Sequence, residues 1–399
     1  MNAHDNAGPG NAARWVILLV LFIARTVMGC QFESVGATAP YLGQAFRIDF
    51  AQIGALIGLY MLPGIFIALP GGVLGQRFGA KHVVLVGLAL MAFGGAGMGM
   101  SGSFLSLSSG RLVSGIGAVL INVLMTKMVA DWFAGREIVT AMALLIASWP
   151  LGLALGLLLF APLAAAYGFG AVMHAGAVLS LLSLLLVALI YRAPADQSAK
   201  AAAGLRLTLS GREWLAVCFA GSVWTAYNVG YIVLISFLPG LFERHGWSFA
   251  QASRIVSFLG WTLIPSVPLA GYLAERYNWS NLFLVGGFVL AGSAAAVLPF
   301  APNPLVAFTV LVCAIGAPGG LIMALPAQVL RPENRAGGMG IYFTWYYTGM
   351  AMLPGLAGVT RDATGSAAAP ALFAAAMMML ALAGLIGFRA VMRTAAYKR

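Results

Sequence analysis

The chain has 399 residues, of which 61% are hydrophobic and only 8% charged, where a soluble domain carries roughly 25% charged residues. Too few polar groups are present to cover a water-facing surface, so lipid is the expected solvent. The net charge of +11 does not point to nucleic acid, because no segment combines a basic patch with a soluble fold.

Backbone polar groups find no water in hydrocarbon, so a spanning chain must be helical or a closed barrel. The apolar stretches here are far longer than the roughly 10 residues of a barrel strand, and they predict helices. Twelve spans are expected at about 14–40, 50–71, 82–101, 105–129, 138–160, 169–191, 212–239, 250–272, 281–300, 304–329, 338–360 and 370–391. The stretch from Trp15 to Ala39 is too long for a signal-peptide core and reads as the first span.

Placing the N-terminus in the cytoplasm puts Arg14, Arg77, Lys81, Arg136, Arg192, Lys200, Arg206, Arg212, Arg276, Arg331, Arg335, Arg389, Arg393, Lys398 and Arg399 inside. Only Arg47, Arg244 and Arg361 then lie outside. The positive-inside rule therefore predicts a multi-pass protein of the cytoplasmic (inner) membrane with both termini cytoplasmic.

Cys30, Cys218 and Cys313 fall inside spans, and with four scattered histidines they give no disulfide framework or metal spacing. No cofactor and no metal are expected. The longest polar stretch, 192–211, lies at mid-chain. It divides the sequence into an N-terminal six-helix bundle (1–195), a cytoplasmic linker (196–211) and a C-terminal six-helix bundle (212–399).

Shifting the sequence by 199 residues superposes the two halves without a gap. Pro40 meets Pro239, Phe50-Ala51-Gln52 meets Phe249-Ala250-Gln251, and Gly72, Leu74 and Arg77 meet Gly271, Leu273 and Arg276. Ile116-Gly117-Ala118 meets Ile315-Gly316-Ala317, and Arg25 meets Trp224. An even number of spans per half makes the halves parallel repeats. Asp49 with Gln52, and Ser248 with Gln251, read as capping boxes that start the second and eighth spans.

Gly72-Val-Leu-Gly-Gln76-Arg77-Phe-Gly79-Ala-Lys81 lies between spans two and three, with a second copy at Gly271-Tyr-Leu273-Ala-Glu275-Arg276. Arg111-Leu-Val-Ser-Gly115-Ile-Gly117 lies in span four. These resemble the loop signature Gly-x-Leu-x-Asp-Arg-x-Gly-Arg-Lys and the Arg-x-x-x-Gly-x-Gly motif of the major facilitator superfamily. The resemblance covers the whole chain. It implies an all-α fold of two pseudo-symmetric bundles, no enzymatic activity, and a gating role for Gly72, Gln76, Arg77, Gly79, Glu275 and Arg276. Gln76 stands where the family has Asp and Ala80 where it has a second base, so an acid-based latch is in doubt in the first half. Within the superfamily, Arg25 and the run Pro354-Gly355…Thr360-Arg361-Asp362 resemble the cyanate/nitroimidazole porters, and organic-anion porters of the oxalate type are a similar comparison.

An ionised side chain at the bilayer centre costs roughly 2.5–3.5 kcal/mol and usually faces a cavity. Arg25, Arg111, Lys127 and Arg254 fall within spans, against one clear acid, Glu33. This surplus of positive charge favours an anionic small-molecule substrate. Arg25 lies 11 residues past Arg14, about 16 Å along the helix, near mid-membrane and suited to line a transport cavity. Asn122 is a further polar candidate.

Glu33 is the carboxylate candidate for proton coupling, and the family resemblance implies a link to proton coupling or to helix packing for Arg111; the alternative is an ion pair that only holds spans together. Lys127 and Arg254 read as structural anchors. Span seven carries Trp224, Tyr227, Asn228 and Tyr231 at i, i+3, i+4, i+7 on one face, and span eleven carries Tyr342, Trp345, Tyr346 and Tyr347. These rings could line the cavity or simply pack.

The expected function is uniport or proton-coupled symport of a small organic or inorganic anion by alternating access, by a monomer. The alternative is a proton-driven efflux antiporter for drugs or hydrophobic metabolites. No nucleotide loop or nucleophile motif supports a membrane-embedded enzyme.

Overall fold

The computed structural model describes residues 9–133, 137–194, 209–331 and 334–393. Arg136, Lys200, Arg206, Lys398, Arg399 and positions 196–208 of the expected linker lie outside them. Among the described residues every regular element is a helix. Ten stretches are long and apolar enough to cross a membrane, and twelve spans follow from two further facts. Thr140–Ile190 contains two spans, because Gly168 breaks the long helix Ile138–Ile190 with φ 78° and ψ 173°, a conformation that only glycine adopts without strain. Arg335–Thr364 is long enough at 30 residues, and its Arg, Asp, Thr and Tyr content is what lowers its hydropathy.

The residues group into two compact units, Met1–Ser34 with Phe66–Lys200, and Val35–Ile65 with Ala201–Arg399. In the first, spans one (Pro9–Glu33) and five cross at glycines. A Cβ on Gly29 or Gly152 would strike the facing backbone, and one on Gly156 would meet the Glu33 stem. Small residues of this kind let membrane helices approach closely. Lys81 fixes the turn after span two by donating to the carbonyls of Ala188 (2.8 Å) and Tyr191 (2.7 Å). A cation there satisfies open acceptors at the end of the sixth span.

In the second unit the first half of span two, Phe50–Leu59, lies along span eleven. Cβ atoms on Gly54, Gly58 or Gly358 would collide with backbone of the opposite helix. Asp362 accepts from the amides of Phe50 (3.2 Å) and Ala51 (2.7 Å), so a side chain of span eleven caps span two. Arg361 lies 3.5 Å over the Phe50 ring. Span two then breaks at Tyr60–Pro63 and resumes as Gly64–Phe78.

The 199-residue repeat is written in the backbone. Both expected capping boxes form, Asp49 with Gln52 and Ser248 with Gln251. Positive φ recurs at equivalent positions: Arg47 (53°) with Gly246 (92°), and Gly79 (82°) with Asn278 (56°).

Candidate functional site

In span four (Phe104–Phe133), Arg111 and Asn122 are 11 residues apart, close to three turns, and so share one stripe of the helix. Both use it to reach span one. Asn122 Oδ1 accepts from Arg25 Nε (3.2 Å) and Nη2 (3.1 Å), while Arg25 Nη1 donates to the Leu145 carbonyl of span five (2.5 Å). Leu145 lies just before Pro150, in a stretch where the missing proline N–H loosens the carbonyl ladder. Ser148 Oγ donates to the same carbonyl. The half-buried guanidinium is thus oriented by one side-chain amide and one backbone carbonyl.

Arg111, wholly buried, donates to the carbonyls of Gln31 (2.8 Å) and Phe32 (2.7 Å) and lies 5.5 Å from the Phe32 ring centre. It caps the C-terminal end of span one, where carbonyls lack helical donors and the macrodipole is negative. Glu33 is the next residue. Its carboxyl is completely buried and neither oxygen accepts a hydrogen bond. Arg111 is the charge that acts on it, but the guanidinium's hydrogen bonds named above go to the helix end. Gln31, which the sequence reading did not single out, donates to the Met91 carbonyl of span three (2.8 Å). Its signal was a polar amide two residues before Glu33 in an otherwise apolar turn.

The second unit offers rings. Trp224 stacks with Tyr227 (6.0 Å) and Tyr342 (6.2 Å) and is tilted against Tyr346 (6.2 Å), joining spans seven and eleven. Tyr231 is buried, and Asn228 donates to the Trp224 carbonyl (2.8 Å). Trp224 Nε1 is buried without a hydrogen-bond partner. Trp345 stands apart from the cluster, 44% exposed, with its stem over Gly221.

Sequence periodicity missed a break in span ten. Pro304–Ile315 gives way to the short helix Gly319–Met323 and a 3-10 turn at Pro326–Gln328. Pro318 and Pro326 are the sequence signal. The Ile315 carbonyl left by the break accepts the Tyr227 hydroxyl (2.9 Å).

The loop-signature residues lie at helix ends. Gly72 has open space around its Cβ position, and Gln76 and Arg77 are exposed, with Arg77 5.4 Å from the Phe78 ring centre. Gly79 is the single residue between two helices. Glu275 and Arg276 are exposed, and Arg276 donates to the Tyr272 hydroxyl (2.6 Å). Lys127 pairs with Asp131 at 2.5 Å, and Arg254 is exposed.

The charge survey by sequence also passed over Glu213. It is buried in the first turn of span seven and accepts from Arg331 N, Nε and Nη2, Asn334 Nδ2 and Ser210. In the first unit Arg14 pairs with Glu137 at 2.8 Å. Position 14 plus the repeat offset is 213, so the same place carries a base in one unit and an acid in the other.

Twelve helices in two repeats, with buried polar side chains held between neighbouring helices, are the architecture of a secondary transporter. A profile of the Major Facilitator Superfamily matches residues 21–354 and 229–398, and the chain belongs to that superfamily. It is 26% identical over 379 residues to the 4-hydroxybenzoate transporter PcaK of Pseudomonas putida, covering 84% of this chain and 83% of that protein. It is 25% identical over 393 residues to the 2-nitroimidazole transporter of Escherichia coli K12, covering 94% and 96%. A crystal structure of a D-xylose-proton symporter superposes with a TM-score of 0.77 at 16% identity, over 94% of this chain and 97% of that one. That likeness is one of fold.

Proposed function

We propose that the protein moves a small organic carboxylate across the cytoplasmic membrane by alternating access, with proton coupling, as a monomer with both termini in the cytoplasm. The repeats 1–195 and 212–399 act as the moving halves, joined by 196–211. The observation that carries the reading is Arg25: a guanidinium at mid-span, oriented by Asn122 and the Leu145 carbonyl, suited to bind a carboxylate. The transporter of 4-hydroxybenzoate among the relatives supports an anion that also carries a ring. Trp224, Tyr227, Tyr231, Asn228 and Tyr346 are the proposed contacts for its apolar part, with Trp345 at their edge.

Glu33 is the proposed proton carrier and Arg111 its tuning charge. A buried carboxyl with no hydrogen-bond partner is a group whose charge state can follow the transport cycle, because an unpaired buried charge is costly. Gly72, Gln76, Arg77, Gly79, Glu275 and Arg276 are the proposed gating turns.

Uptake of labelled 4-hydroxybenzoate into proteoliposomes tests this. Arg25→Ala should lose at least about tenfold in uptake, the scale of a lost charge-assisted hydrogen bond. Unchanged uptake would remove Arg25 from the site. Glu33→Gln should abolish accumulation driven by a pH gradient while leaving exchange of labelled for unlabelled solute intact. Loss of both would show that Glu33 is structural.

The ring cluster favours a second reading, a neutral aromatic cargo exported by an antiporter. The relative that carries 2-nitroimidazole supports it. Competition separates the two: a neutral nitroimidazole that displaces all bound carboxylate with no effect of Arg25→Ala would favour the second.

A further inference from the structure

Three arginines of the second unit meet around the last turn of span twelve. Arg389 and Arg393 are four residues apart and therefore lie one above the other on one helix face, and the Arg393 charge acts on Arg389. Like charges at this spacing destabilise a helix. The positions are nonetheless held. Arg389, half-buried, donates Nη2 to Asn281 Oδ1 at the start of span nine (2.5 Å), and Arg212 of span seven donates Nη2 to the Met392 carbonyl (3.3 Å).

Several other bases are answered. Arg14 pairs with Glu137, Lys127 with Asp131 and Arg331 with Glu213, Lys81 sits on helix-end carbonyls, and Arg77 and Arg276 lie over rings. Among the described residues, Arg212, Arg389 and Arg393 have no acid within ion-pair distance.

The surroundings say what kind of anion fits. Trp214, Tyr277 and Trp279 are exposed near the same helix ends, and the last two stack at 4.9 Å. Exposed rings of this kind mark headgroup level. Ile386, one turn deeper in span twelve, and Leu282, beside Asn281, are each 60% exposed. We infer that Arg212, Arg389 and Arg393 form a binding site for the phosphate of an anionic phospholipid, with its acyl chains along Ile386 and Leu282. Free phosphate offers the same oxygens but nothing for those apolar side chains to cover.

Native mass spectrometry of the full-length protein in mild detergent tests the assignment. Phosphatidylglycerol, phosphatidylcholine and inorganic phosphate are titrated separately. Wild type should hold phosphatidylglycerol about 30-fold more tightly than phosphatidylcholine, the scale expected from two basic residues at a membrane surface. Arg389→Gln with Arg393→Gln should erase that preference, Arg389→Lys with Arg393→Lys should keep most of it, and Arg192→Gln should leave it intact.

An undiminished preference in the double glutamine variant overturns the proposal, as does an equal loss in Arg192→Gln. Competition by inorganic phosphate at the lipid's own concentration would make it a free-anion site and also overturn it. Should the glutamine variant aggregate, wild type in about 1 M salt, where the screening length is ~3 Å, must lose the preference; its persistence refutes the site.

Discussion

Arg25 and Asn122 show how far a single residue can be read from sequence. A base 11 residues past Arg14 in an apolar helix had to be deep, and an asparagine in span four had to be satisfied by something. Their pairing with each other came from the fold, because it depends on the three-turn spacing from Arg111 that puts both span-four side chains against span one. Gln31 and Glu213 were harder to read. One hid behind a neighbouring acid, and the other looked like an ordinary residue of a solvated helix start. Arg47 carries a testable cost. Its φ of 53° is a conformation that costs an L-residue about 1–2 kcal/mol, and its repeat partner is Gly246. Arg47→Gly should therefore raise the thermal midpoint, offset in part by the entropy glycine adds to the unfolded chain. A lower midpoint in a detergent melt would mean that the arginine side chain contributes more than its backbone costs.

At the scale of elements, hydropathy made the spans legible but not the breaks within them. The expected boundary between 160 and 169 is found at Gly168, inside the long helix Ile138–Ile190, whereas span ten contains a break that proline positions suggest but periodicity does not. The seam between Phe50–Leu59 and span eleven was announced by neither. Glycines at 54, 58 and 358 bear no Cβ where one would strike the opposite backbone, and Asp362 then closes the end through two amides of span two. Asp362→Ala leaves those amides uncapped, at a cost of about 1 kcal/mol for an N-cap carboxylate. A cysteine introduced at Gln52 should then be labelled faster by a membrane-impermeant thiol reagent. An unchanged labelling rate would mean that the glycine contacts alone keep the seam shut.

For the molecule as a whole, composition settled the solvent, and the 199-residue offset settled the internal symmetry. That symmetry shows in shared capping boxes and shared left-handed residues. The substrate was not legible in the same way, because an arginine and a set of rings state a chemistry without naming a molecule. The paired ends of the repeats were invisible until coordinates joined Arg14 to Glu137 and Glu213 to Arg331. Glu137→Arg should lower the thermal midpoint by placing two bases together. Adding Arg14→Glu should restore most of the loss, within the ~0–1 kcal/mol typical of a pair with one exposed partner. Failure of the double variant to recover would assign Arg14 to its contact with the Phe133 ring instead.

The inverted signs of those two clasps have a consequence for ancestry. Each repeat completes its own clasp, with donor and acceptor drawn from the same half of the gene. One copy could reverse its polarity after duplication without a compensating change in the other. Halves made as two separate polypeptides would therefore each arrive with a finished clasp.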